Sequence, residues 1–123
     1  MVRQFNLLQL FSLVDGRLSI TGMDAIYDML GHICRFPGIM THHLPVANTY
    51  VQTVLKPSWF AQVETELNEI KAKVGDDFDT LMRHIQYNQN TVYDIPQMPE
   101  ENEAAFGTYM VENSLLNNIG KNR

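Results

Sequence analysis

Apolar positions along this chain fall in short blocks separated by Gly, Pro and Asp, and most blocks repeat at helical spacing. The first block, Phe5 to Val14, is too uniformly apolar for periodicity to decide its type. It reads as a short buried helix stopped at Asp15-Gly16, with a buried strand as the alternative. A helix start follows at Thr21, with Asp24 in the place of the usual Glu or Gln of a capping box. Met23, Ile26, Tyr27, Leu30 and Ile33 then share one face. Phe36-Pro37-Gly38 ends that helix, because Pro cannot continue it.

The next start is His43-Leu44-Pro45, where Pro suits the first helical position because its missing N–H costs nothing there. Leu44, Ala47, Val51 and Val54 form the expected inner face, flanked by Tyr50 and Leu55. Pro57 interrupts, Ser58 is placed to cap, and the clearest helix of the chain follows. Phe60, Val63, Leu67, Ile70 and Val74 line one side of it, charged residues fill much of the rest, and Gly75 closes it. Asp76 or Asp77 caps a further helix with Phe78, Leu81, Met82 and Ile85 inward, and Tyr87 to Asn90 is its exit. Thr91 to Ile95 is β-branched and aromatic and admits one short strand. Pro96 and Pro99 bracket a loop. Glu100 to Asn118 reads as a last helix with acids in its first turn, Phe106, Tyr109, Met110 and Leu116 inward, and residues 118–123 as a frayed tail. Gly107 weakens this helix by about 1 kcal/mol relative to Ala. The expectation is a mainly α single domain over residues 1–123, a bundle of five to six short helices with one short β element near residues 91–95.

Composition adds little to this picture, and charge adds more. Apolar residues at 45% and charged residues at 19% suit a folded domain of 123 residues. The net charge of −5 is uneven: residues 1–56 are close to neutral, and residues 57–123 hold eleven of the fourteen acids. Such a second half is a poor surface for phosphate backbones, which disfavours nucleic acid as a partner. The single cysteine, Cys34, allows no intrachain disulfide and favours a reducing compartment. No stretch approaches the roughly 18–20 apolar residues that span a bilayer, and no signal peptide is read at the start. A cytoplasmic protein, without a membrane role, is expected.

Motifs for phosphate loops, serine hydrolases and zinc proteases are absent. His32 and Cys34, two apart on a helix, point in different directions, so the spacing favours no metal site, and no cofactor is expected. Cys34 ends an apolar face and reads as core, His32 and His84 as packed or surface imidazoles, and the acids between Glu64 and Glu69 as solvated charge. The segment Met40 to Asn48 carries the most chemistry. Thr41, His42 and His43 precede a helix N-terminus, where free N–H groups and the dipole attract anions. Arg17 and Arg35, in the loops before the two marked helices, are placed to converge on it. These five residues are the candidate ligand-binding set, and the competing reading is that Thr41 and His43 simply cap the helix. No residue is assigned a catalytic role.

At these residues the chain resembles a group of short, uncharacterised bacteriophage and prophage proteins. Their signature is a Gly-Arg-Leu turn, a helix with Met-x-x-hydrophobic-Tyr-x-x-Leu, then Thr-His-x-Leu-Pro-Arg-Ala. The matching stretches are Gly16-Arg17-Leu18, Met23 to Leu30, and Thr41-His42-His43-Leu44-Pro45-Val46-Ala47, with Val46 where the pattern has Arg. The resemblance implies a small accessory protein that works in the host cell, blocking a host or antiphage-defence function by binding a host protein or a phosphorylated signalling molecule. Two other classes compete: a small hydrolase or transferase using the His pair, and a helical transcription regulator, against which the acidic half counts. Seven methionines and a generous aromatic content suit a sticky surface, so a homo-oligomer is the expected assembly.

Overall fold

A chain-start strand, absent from the sequence reading, begins the fold. The computed structural model describes residues 1–88 and 91–115. Strand β1 (Val2–Asn6) runs directly into helix α1 (Leu7–Asp15). The junction is held by a reciprocal cap: Asn6 Oδ1 accepts from the Gln9 N–H at 2.9 Å, and Gln9 Oε1 accepts from the Asn6 N–H at 2.8 Å. Gly16 ends α1 with φ at +96°, a conformation that favours glycine. The ambiguous first block is thus helix from Leu7 onward, with only Phe5 and Asn6 in the strand.

Helix α1 is the hub, packing against α2 (Met23–Ile33), α4 (Ser58–Val74) and α5 (Phe78–Asn88). Leu7, Leu10, Phe11 and Leu13 have no exposed surface. A helix enclosed on several sides needs no polar stripe, which is why its sequence shows no period. Burying each such side chain fully contributes about 1.5–3 kcal/mol. The buried apolar side chains form one continuous cluster from Phe5 to Met110.

Helix α2 starts at a Gly22 cap with no side-chain capping bond, so the Thr21–Asp24 box does not form. Ile26, Met29, Leu30 and Ile33 are its buried apolar residues, whereas Tyr27 and Met23 are only partly covered. A short 3₁₀ turn, Thr41–His43, leads into α3 (Leu44–Thr49), with Pro45 in the first turn as expected. The chain then widens into a π turn, Tyr50–Leu55, closed by the Lys56 N–H on Val51 O at 3.0 Å. Ala47 and Val51 are buried as expected and Tyr50 with them, whereas the wider turn rotates the later residues, and Val54 is left exposed. Ser58 is the first residue of α4, with Pro57 before it, and makes no cap. Trp59, Val63, Leu67 and Ile70 are the buried face of α4, with Phe60 and Val74 at its margin. At the α5 start Asp77 Oδ2 accepts from the Thr80 N–H at 3.0 Å, as the sequence suggests. Gln89 and Asn90 of the expected exit lie outside the described residues.

Strand β2 (Val92–Pro96) pairs antiparallel with β1, Phe5 opposite Tyr93 and Arg3 opposite Ile95. Phe5 and Ile95 face the core. The buried His32 donates from Nε2 to Ile95 O at 2.8 Å, tying α2 to the sheet. Helix α6 (Glu103–Met110) is bracketed by a 3₁₀ turn, Glu100–Asn102, and a π turn, Val111–Leu115. Phe106 and Met110 are buried and Tyr109 packs at the margin; Leu116 and the 118–123 tail lie outside the described residues. The molecule is therefore mainly helical, with six α-helices and one two-stranded antiparallel sheet among the described residues. No helix among the described residues is long and apolar enough to cross a membrane.

Candidate functional site

The exit of α2 shapes the site. Cys34 caps the helix, Arg35 takes φ of +52°, the Arg35 N–H reaches His32 O at 3.4 Å, and the Phe36 N–H reaches Gly31 O at 3.0 Å. This is the Schellman pattern, with arginine where glycine is the usual choice. Gly31 lets the turn close tightly: a Cβ there would lie 3.3 Å from Phe36 O, so the turn would have to give slightly. The turn sends Arg35 towards the chain after β2. Arg35 Nε donates to Met98 O at 2.6 Å, and the Met98 N–H donates to Ile33 O at 2.8 Å, which latches the 97–99 segment to the end of α2. Arg35 is 3.9 Å from Glu103 at the start of α6.

Between this turn and α6 lies a cleft of about 460 Å³. Phe36, Phe106, Met110 and Val111 form its apolar walls, and Arg35, His42, His43 and Glu103 supply its polar groups. The rings interlock: Phe36 meets Phe106 and His43 edge-on at 5.9 and 5.0 Å, and His42 lies 4.0 Å from His43. His43 Nδ1 accepts the Met40 N–H at 2.9 Å, which leaves the ring proton on Nε2. Partial burial, with His42 beside it, lowers the His43 pKa, so its ring is neutral at pH 7. Cys34 also borders the cleft, but burial pushes its thiol up to about 12, so it is no thiolate nucleophile at neutral pH.

Three of the five sequence candidates, Arg35, His42 and His43, therefore meet at one cleft. Thr41 stands beside them without lining it, and its hydroxyl hydrogen-bonds the Tyr27 hydroxyl. Arg17 does not converge on them. Its guanidinium holds Asp15 at 2.6 Å and Asp76 at 2.7 Å and lies over the Phe11 and Phe78 rings. The capping alternative holds in altered form: His43 caps its own 3₁₀ turn, while Thr41 bonds across to α2. Sequence reasoning missed the far wall. Phe106 and Met110 carried only a core-facing signal, and Gly107 read as a weak point. In the structure Gly107 borders the cleft, and a Cβ there would meet nothing within 4 Å, so a side chain at this position has open space before it.

Among the described residues no group of three or more His, Cys, Asp or Glu is placed to hold a metal ion. Compared with protein-family models, with curated proteins and with solved structures, the chain matches none.

Proposed function

We propose that this chain is a phage-type accessory protein that binds, without turning over, a phosphorylated small molecule of nucleotide type, and so counters a host or antiphage-defence function. The observation that carries the reading is the cleft itself: an aromatic, apolar slot with a guanidinium and two imidazoles at its edge. The wall made by Phe36, Phe106 and Met110 offers a flat base an apolar surface to lie against. A phosphate fits the Arg35 end, where a guanidinium offers paired donors. Glu103 beside it is placed to accept from a hydroxyl or amino group of the ligand. The cleft favours this over docking of the acidic second half on a basic host protein, because four of its lining residues are Phe36, Phe106, Met110 and Val111 and its only acid is Glu103. The resemblance to short phage proteins supports the host setting, and a cytoplasmic site of action follows from it.

The test is a thermal-shift and calorimetry panel of nucleotides and cyclic nucleotides, run on the wild type and on Gly107→Leu. One nucleotide class raises the melting temperature of the wild type, by mass action on the folded state. Gly107→Leu fills the cleft from open space without displacing core atoms, so it folds and loses that shift. A panel that leaves the wild type unmoved, or a shift that persists in Gly107→Leu, overturns the reading.

A further inference from the structure

Among the described residues the cleft is lined by one cationic and one anionic side chain, Arg35 and Glu103, and a ligand can reach both. The Arg35 side chain is 28% exposed and that of Glu103 50%. Arg35 Nη1 lies 3.9 Å from Glu103 Oε1, close enough to attract and beyond hydrogen-bond range. Arg35 Nε is already committed to Met98 O. That bond fixes the guanidinium plane and leaves the two Nη groups, without a hydrogen bond among the described residues, to meet an anionic oxygen. His43 adds a donor and no charge. Its Nδ1 takes the Met40 N–H, its Nε2 carries the proton, and partial burial with His42 beside it keeps the ring neutral at pH 7.

This balance treats the first and second negative charges of a ligand differently. A single charge at the Nη groups gains the guanidinium. With 3.9 Å between Arg35 and Glu103, a phosphate at the one is also close to the other. For a second charge on that phosphate, attraction to Arg35 and repulsion from Glu103 therefore largely cancel. What remains is the cost of drawing a second charge out of water towards Phe36, Phe106, Met110 and Val111. Glu100 and Glu101, exposed in the turn that leads into α6, add repulsion, as does the net charge of −5.

We infer, resting on the nucleotide reading above, that the cleft selects phosphodiesters, with their single negative charge, over nucleotides ending in a phosphate monoester, which carry about two. Glu103 sets the selection. It leaves a single charge its guanidinium and opposes the second.

A 3′,5′-cyclic nucleotide and the 5′-monophosphate of the same base differ by one water and one charge, and they make the test. One such pair for each of adenine, guanine, cytosine and uracil is titrated calorimetrically into the full chain at low salt and a pH of about 7.5. For the base that binds best, the cyclic form is expected to bind about tenfold or more tightly than the monophosphate. Glu103→Gln keeps the shape of a half-exposed side chain and removes its charge. It should strengthen the monophosphate and bring the two forms within about threefold. Should that variant fail to fold, the wild-type ratio decides alone. Monophosphates that bind the wild type as tightly as the cyclic forms, or a preference undiminished in Glu103→Gln, overturn the selection and leave the nucleotide reading standing. If no member of any pair binds, both fall.

Discussion

Asp15 is the residue whose chemistry the tertiary structure changes most. Its side chain is only 4% exposed, and it receives Arg17 Nε at 2.6 Å and Lys71 Nζ at 2.7 Å. Burial alone would raise its pKa; the hydrogen bonds from Arg17 and Lys71 outweigh that and bring the carboxyl down to about 2. The folded-state value is thus below the unfolded one. Asp15 therefore contributes its full stability above a pH of about 4, and loses it as pH falls towards about 2. The size of that contribution is about 2 kcal/mol. Asp15→Asn is expected to lower stability at pH 7 by that amount or somewhat more, since Lys71 and Arg17 lose their shared anion. Urea denaturation at pH 7 and pH 3 checks it, and the wild-type advantage should shrink at the lower pH. An equal gap at both values would mean that Asp15 acts through packing rather than charge. None of this is legible from Asp15-Gly16 in the sequence, where the pair reads only as a helix stop. Cys34, by contrast, reads as core and is buried; His32, which reads equally as a surface imidazole, is buried as well.

At the scale of elements, α6 is the one whose sequence and packing disagree most. Its residues 103–110, EAAFGTYM, have only Glu103 and Thr108 as polar side chains besides the Tyr109 hydroxyl, yet only Phe106 and Met110 are buried. A glycine in its middle lowers helix propensity, and the structure shows no neighbour in the chain that requires it. Gly107→Ala should raise stability by about 0.5–1 kcal/mol, read as a higher urea midpoint with an unchanged slope. A lower midpoint would show that the backbone at this position is not the regular helix described. Helix α4 is the opposite case: its face from Val63 to Ile70 was visible in the sequence, because a helix with one buried side must alternate apolar and polar residues at 3.6-residue spacing. The face of the segment from Leu44 to Leu55 was misjudged at Val54, since a π turn shifts every later residue relative to an α-helical count.

For the whole molecule, the sheet joins the start of the chain to the segment that follows α5. β1 contributes Phe5, 1% exposed, to the core, and Arg3 reaches across to Asp28 of α2 at 2.7 Å. β2 has no other strand to pair with among the described residues. Removing residues 1–5 should thus cost the Phe5 burial together with the ladder and leave Ile95 uncovered. A drop in melting temperature of more than about 10 °C is expected by circular dichroism. Gln4→Ala, which removes one exposed cross-strand contact, should change it little. An unaltered melt on deletion would mean that the helices stand without the sheet.

Local rules made part of this protein readable from its sequence. Helix periodicity, the Gly16 and Gly75 stops, the Asp77 cap, the Pro45 start and the strand near residue 92 depend on neighbours within a few positions, and each follows from side-chain shape or backbone freedom. What depended on distant neighbours was not readable. The β1 strand exists only because β2 lies opposite it, about ninety residues away. Arg17 and Arg35 look alike as loop arginines, yet one is bound by Asp15 and Asp76 and the other by Met98 O beside the cleft, because their partners come from different parts of the chain. The cleft is a space between elements, and a space has no residue of its own to announce it.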